Sequence, residues 1–271
     1  MMRIAAVVLV GIIAWPASGQ SWLTSVAPGP RAAAMGGSVT LGLRAPEAAW
    51  VNPASAAWAD GGSVSVRYRD DLAMDIFMAA AVDRFVFGAR QLPSADGVSA
   101  LAVSGAASHE LKGFRLGAGL HLVEQDAARG QDRAMRLDLG VSRRLGSLDV
   151  GLSVVGLGRG VDAPIVPPVV PREVATVLNV SSLRGEVGPL DVAFAGHLAR
   201  YQDAFHGGVG GELAYWPVRG RTFRVLGGWQ RQFGQDAPTF GASYTGDLLT
   251  FSWARSEYLG ATTHRFGISW R

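Results

Sequence analysis

Large apolar residues alternate with small or polar ones from about residue 63 to the end of the chain. Arg265-Phe266-Gly267-Ile268-Ser269-Trp270 shows the pattern, and Leu249, Phe251 and Trp253 stand against Thr250, Ser252 and Ala254. Met135, Leu137, Leu139 and Val141 alternate in the same way with Arg136, Asp138, Gly140 and Ser142. Successive side chains of a strand point to opposite faces, so each segment has one greasy face and one small or polar face. A closed membrane barrel, with lipid outside and a polar lumen, accounts for both faces of every strand at once.

The alternation predicts 14 strands, near 63–69, 74–82, 85–92, 98–106, 114–123, 134–143, 148–156, 173–183, 190–198, 207–215, 222–231, 239–245, 248–255 and 263–270. Such lengths suit tilted membrane strands. Links after even-numbered strands are short, as in Asp83-Arg84 and Gly246-Asp247. Links after odd-numbered strands are longer, about eight residues against about four, as in outer-membrane barrels with short periplasmic turns. Residues 107–113 break that rule as a seven-residue link on the short side.

Residues 31–60 are rich in alanine and glycine and lack the alternation. Pro46 suits the first turn of a short helix through Trp50. Asn52-Pro53 is an N-cap followed by proline at the first helical position, opening Ala54 to Trp58. Gly36-Gly37 permits a tight bend. These features predict a small, partly helical plug inside or beneath the barrel. Further upstream, Arg3, the apolar run Ile4–Trp15 and Ala17-Ser18-Gly19 form the pattern of a secretory signal peptide cleaved near Gly19/Gln20. The expected division is therefore a signal at 1–19, a lead and plug at 20–62, and the barrel at 63–271. No other run approaches the eighteen apolar residues of a membrane helix.

Composition sharpens the picture. The chain is 48% hydrophobic with 17% charged residues, which fits apolar side chains spread over a lipid-facing wall. It has no cysteine, which removes disulfides and thiolate chemistry, and a net charge of +3 gives no argument for nucleic acid. No two of its five histidines stand at metal-ligand spacing on one element. Adjacent Ser108-His109-Glu110 cannot adopt a triad geometry, and Gly207–Gly211 lacks the Gly-Lys-Ser/Thr of a phosphate loop. Neither an enzyme nor a cofactor is expected.

With large apolar side chains facing lipid, Arg67, Arg69, Arg115, Arg136, Arg224 and Arg265 fall on the lumen face or near its rims. Asp138, Glu173 and Asp191 are their expected acidic partners. Internal pairing with those acids, with Glu47 or with plug carbonyls is favoured over an open basic pore, because unpaired buried charge is costly. His121 and His197 are read as wall or girdle residues. Trp216, Trp229, Trp253, Trp270, Tyr68, Tyr215 and Tyr244 suit the membrane interfaces.

Arg31-Ala32-Ala33-Ala34-Met35-Gly36-Gly37, followed by Trp50-Val51-Asn52-Pro53-Ala54, resembles the N-terminal motif of the PorV/PorQ family of outer-membrane barrels. It is more distantly similar to FadL-type transporters of hydrophobic compounds, which share an Asn-Pro-Ala near the N-terminus. Residues 258–270 resemble the last hairpin of the first family, and 151–171 its middle. Ser55 departs from the glycine usual after Asn-Pro-Ala, an acidic pair before that motif is missing, and the chain ends in Arg271 after the aromatic. The resemblance implies a 14-stranded barrel in the outer membrane, contacting its lipid and the barrel-assembly machinery. It implies that Phe266, Ile268 and Trp270 form the assembly signal. It also implies an accessory role in secretion or surface display, with secreted proteins or secretion components as partners. The alternatives are a FadL-like passage for hydrophobic small molecules, gated by the N-terminal segment, and a purely structural barrel.

Overall fold

A computed structural model describes residues 29–41, 44–69, 75–92, 99–127, 130–158, 174–201, 204–218, 220–232, 235–258 and 261–271. The signal segment, the prolines of 159–172 and Glu173 lie outside the described residues.

Fifteen strands form one antiparallel sheet. They are β1 (Gly62–Arg69), β2 (Asp75–Val82), β3 (Phe85–Leu92), β4 (Ser99–Leu111), β5 (Phe114–Ala127), β6 (Gly130–Leu145), β7 (Leu148–Gly158), β8 (Ala175–Ser182), β9 (Gly185–Val187), β10 (Leu190–Tyr201), β11 (Ala204–Val218), β12 (Arg221–Gln232), β13 (Gln235–Thr245), β14 (Leu249–Tyr258) and β15 (Ala261–Trp270). Strands β8 and β9 lie end to end on β10 and act as one stave. Pairing of β1 with β15 and of β10 with β11 leaves no free edge, so the sheet is a closed barrel of 14 staves. No described helix is long and apolar enough to cross a membrane.

The strands overrun their expected ends. β4 continues to Leu111, so the seven-residue link at 107–113 shrinks to a turn at Lys112-Gly113, with φ of 51° and 80°. Two positive φ values are what a tight hairpin turn matching the strand twist requires. On the opposite side, β5–β6, β10–β11, β12–β13 and β14–β15 are each separated by two residues. The longer links expected there survive only at 70–74, 93–98 and 159–174. The cause is that a barrel wall continues into water above its apolar band. There the outward positions turn polar and the alternation of apolar residues fades while the ladder persists. The exposed cross-strand pair Glu124–Arg133, 2.8 Å apart, is such a stretch.

Facing follows the alternation. Leu120, Leu122, Met135, Leu137, Val225, Phe240, Phe251 and Phe266 point outward and are exposed, whereas Ser104, His121, Arg136, Asp138, Glu212 and Gln230 point inward and are buried. Trp216, Trp229, Trp270, Tyr68 and Tyr215 also point outward.

The lumen is filled by the N-terminal segment. It comprises α1 (Pro30–Ala34) and two 3-10 helices, η1 (Pro46–Trp50) and η2 (Pro53–Trp58). Gly36 and Gly37 bend the chain after α1 with φ of 67° and 80°. Ala34, Met35, Leu41, Val51, Asn52 and Ala54 are fully enclosed. The wall accommodates them through glycines on its inner face. A methyl group at Gly210 or Gly228 would come within 2.5 Å of the Met35–Gly36 backbone, and one at Gly117 or Gly140 would overlap Pro53–Ala54 or Asn52. The glycines at 208 and 210 are therefore space for the segment, in keeping with their reading as wall residues.

Candidate functional site: the plugged lumen

Segment and wall are joined by hydrogen bonds that pair side chains of each with backbone groups of the other. Thr239 Oγ1 accepts from the Gly36 N–H at 3.0 Å and donates to the Ala34 carbonyl at 2.7 Å. Ser38 Oγ donates to the Gly208 carbonyl at 2.9 Å and lies 3.0 Å from His197 Nδ1. Ser181 Oγ accepts from the Leu41 N–H, and Ser153 Oγ donates to the Val51 carbonyl. Short helices cannot satisfy their own end groups, so buried ones need such partners.

Asn52 is the hinge of this arrangement. Its Oδ1 accepts the Ala54 N–H at 3.0 Å, capping η2, while Nδ2 donates to the Val141 carbonyl at 3.2 Å. Gly140 and Gly151 leave the room it occupies. Two tryptophans pin the flanking turns. Trp50 meets Phe77 edge-on at 5.0 Å, and the Trp58 ring takes the Arg115 and Arg144 guanidiniums at 5.2 and 4.7 Å. Burial pushes the Glu47 carboxyl above its usual range, offset in part by its own backbone N–H, the Ser63 hydroxyl and the Arg31 charge.

Arg67, Arg115, Arg136 and Asp138 are buried at inward positions of the wall. Arg67 lies 3.3 Å from Asp75, which also takes the Arg90 fork. Arg115 pairs with Asp149, joined by Arg144 at 3.2 Å. Arg224 lies 3.6 Å from Glu212, which meets Arg31 of α1 at 2.8 Å. Arg136 is 1% exposed and donates to the Gly156 carbonyl. Internal pairing describes these contacts, while Glu173 lies outside the described residues. Asp138 is held by His121 and by the Gly156 N–H, each at 2.7 Å, and the carboxylates facing the arginines are Asp75, Asp149 and Glu212. Asp149 and Glu212 are in phase with small inward residues, Gly151 and Gly210, which is the signal that marks them.

His121 and His197 are inward residues, not girdle ones. His121 Nδ1 lies 2.7 Å from Ser104 Oγ, so Ser104, His121 and Asp138 converge from three strands. These are hydrolytic residue types, but each is more than nine-tenths buried, and neighbouring Gly119 lies against Pro53 of the plug. As placed, they form a wall network closed to any substrate. The plug motif residues Arg31, Gly36, Gly37, Trp50, Asn52, Pro53 and Ala54 all lie in the lumen, and Phe266, Ile268 and Trp270 face outward on β15.

No protein-family model and no curated protein matches the sequence. Solved structures match the fold. The monoaromatic hydrocarbon channel CymD superposes with a TM-score of 0.57 at 11% identity, covering 90% of this chain and 96% of that one. A Pseudomonas aeruginosa FadL homologue gives 0.56 at 12% identity, covering 89% and 97%. The toluene transporter TodX of P. putida gives 0.56 at 12% identity, covering 90% and 98%. In architecture the chain is therefore similar to FadL-type barrels.

Proposed function

We propose that the protein is an outer-membrane passage for small apolar molecules, with residues 31–60 as its gate. The observation that carries this reading is a glycine-cradled N-terminal segment filling a barrel similar in fold to hydrocarbon channels. The segment is held by exchangeable hydrogen bonds with few covalent constraints, so a modest rearrangement opens a path. The short turns and Trp270 lie at one end of the barrel, assigned to the periplasm. Two assays test the reading. Liposomes carrying the protein without residues 31–60 should swell in small sugars, where those with the intact protein do not. Cells with an intact outer membrane should take up labelled toluene faster when they carry the intact protein. Unchanged permeability after the deletion, together with unchanged toluene uptake, would sink the proposal.

The secretion-accessory reading draws on the sequence resemblance of the Arg31–Gly37 and Trp50–Ala54 motif and of residues 151–171 and 258–270. Two-residue links at four of the seven external positions offer a partner little to grip. For the outward face of β15, we assign Phe266, Ile268 and Trp270 to recognition by the assembly machinery. Phe266→Ala with Trp270→Ala should lower the yield of folded barrel several-fold on unboiled gels. An unchanged yield removes that role.

A further inference from the structure

At the short-turn mouth, three guanidiniums converge on one carboxylate. Glu212 on β11 lies 2.8 Å from Arg31, 3.3 Å from Arg184 and 3.6 Å from Arg224. Arg184 sits in the break between β8 and β9 and is 34% exposed, while Glu212 is 1% exposed. Guanidinium stays charged under all ordinary conditions, so the cluster carries two more positive than negative charges. Arg271 adds to the positive field on Arg224. The other acids nearby do not neutralise it. Glu47, beyond Arg31, is held toward its neutral form by burial, and Asp191 stands two strands from Arg224, across Ala214.

The contacts are also badly aimed. Arg31 Nε and Nη2, Arg224 Nε and both Glu212 carboxylate oxygens are buried without an aligned hydrogen bond. Five such atoms in one place are unusual, because buried polar groups are nearly always satisfied. Arg224 does donate one bond, to Thr245 Oγ1. Space adjoins the cluster. Beside Arg31 lies a small cleft of about 30 Å³, also lined by Glu47, Ser63, Ser65, Ser252 and Ser269. The inner-face row Arg224–Ser243–Ser252–Gly267–Ser65 runs from the arginines to that cleft along the wall.

We propose that this mouth is a binding site for a small oxyanion, a carboxylate or phosphate, held by the forks of Arg31, Arg184 and Arg224. Planar guanidiniums offer paired N–H donors that match carboxylate and phosphate oxygens, and charge-assisted bonds of that kind are strong. The occupant supplies the missing negative charge and the missing acceptors together. The site does not depend on the passage proposed above, since it uses the plug in its docked position.

The test is calorimetric titration of the full-length protein in a non-ionic detergent, with inorganic phosphate and, separately, with sub-micellar octanoate. Saturable binding of either is expected. Phosphate alone identifies a free anion as the occupant, and tighter octanoate binding identifies the head of an amphiphile. Arg184→Gln, at a partly exposed rim position, should weaken binding roughly tenfold or more. Glu212→Gln removes the competing carboxylate and should tighten it. If neither anion saturates, or if Arg184→Gln binds as the native chain does while retaining its heat-dependent gel shift, the site does not exist.

Discussion

Replacing Gly140 by valine should drive η2 off the inner wall. The first added carbon overlaps Asn52 Oδ1 and comes within 2.9 Å of Pro53. Asn52 then loses its cap on Ala54 and its bond to the Val141 carbonyl together. Overpacking costs about 1–3 kcal/mol, and the two hydrogen bonds add about 1 kcal/mol each. That total is comparable to what holds a short, mostly side-chain-tethered segment in place. The expected result is rapid protease cleavage within 44–60 in proteoliposomes, together with sugar permeability approaching that of the deletion. Gly105→Val is the control. It lies on the outer face of β4, where an added carbon meets Phe87 at 3.7 Å and the Val86 carbonyl at 4.0 Å, both ordinary contacts. Equal protection of the two variants would mean that the segment is not seated by this contact.

Asp75→Asn should weaken the barrel itself. The carboxylate takes Arg90 through three contacts of 2.6–3.2 Å and Arg67 at 3.3 Å. Arg265 stands directly across from Arg67 on β15. Without the carboxylate, three neighbouring guanidiniums remain on the inner wall near the β15–β1–β2 seam. Removing one member of a buried ion pair costs about 3–5 kcal/mol, because the remaining charge stays desolvated. The urea midpoint of the heat-modifiable band should fall accordingly. Adding Arg90→Met should recover part of the loss by removing one orphaned charge. If Asp75→Asn unfolds at the native midpoint, water rather than the carboxylate is solvating the arginines, and the lumen is wetter than its packing indicates.

What the chain reveals by itself is whatever is local. Alternation is a property of neighbouring residues on one strand, so the outward face of Met135–Leu139 and the inward face of Arg136 and Asp138 follow from a dozen letters. The same holds for the cap at Asn52-Pro53 and the bend at Gly36-Gly37, where a residue and its immediate neighbours decide the backbone. Strand ends were less legible. The sequence beyond Val123 and before Ala134 loses its apolar alternation, yet the β5–β6 ladder runs on to Ala127 and Gly130. Partners were the least legible. Glu212 faces Arg31 from 181 positions away, and Asp75 is chosen by Arg90 across a hairpin whose height is set by barrel register. Only the seating of the N-terminal segment in the closed barrel brings Arg31 and Glu212 to one level. The inward glycines could be counted from their phase, but what fills the space they leave is decided by an N-terminal segment that folds back into the lumen. Charge pairing and cavity filling are long-range consequences of register and shear, and no local pattern encodes them.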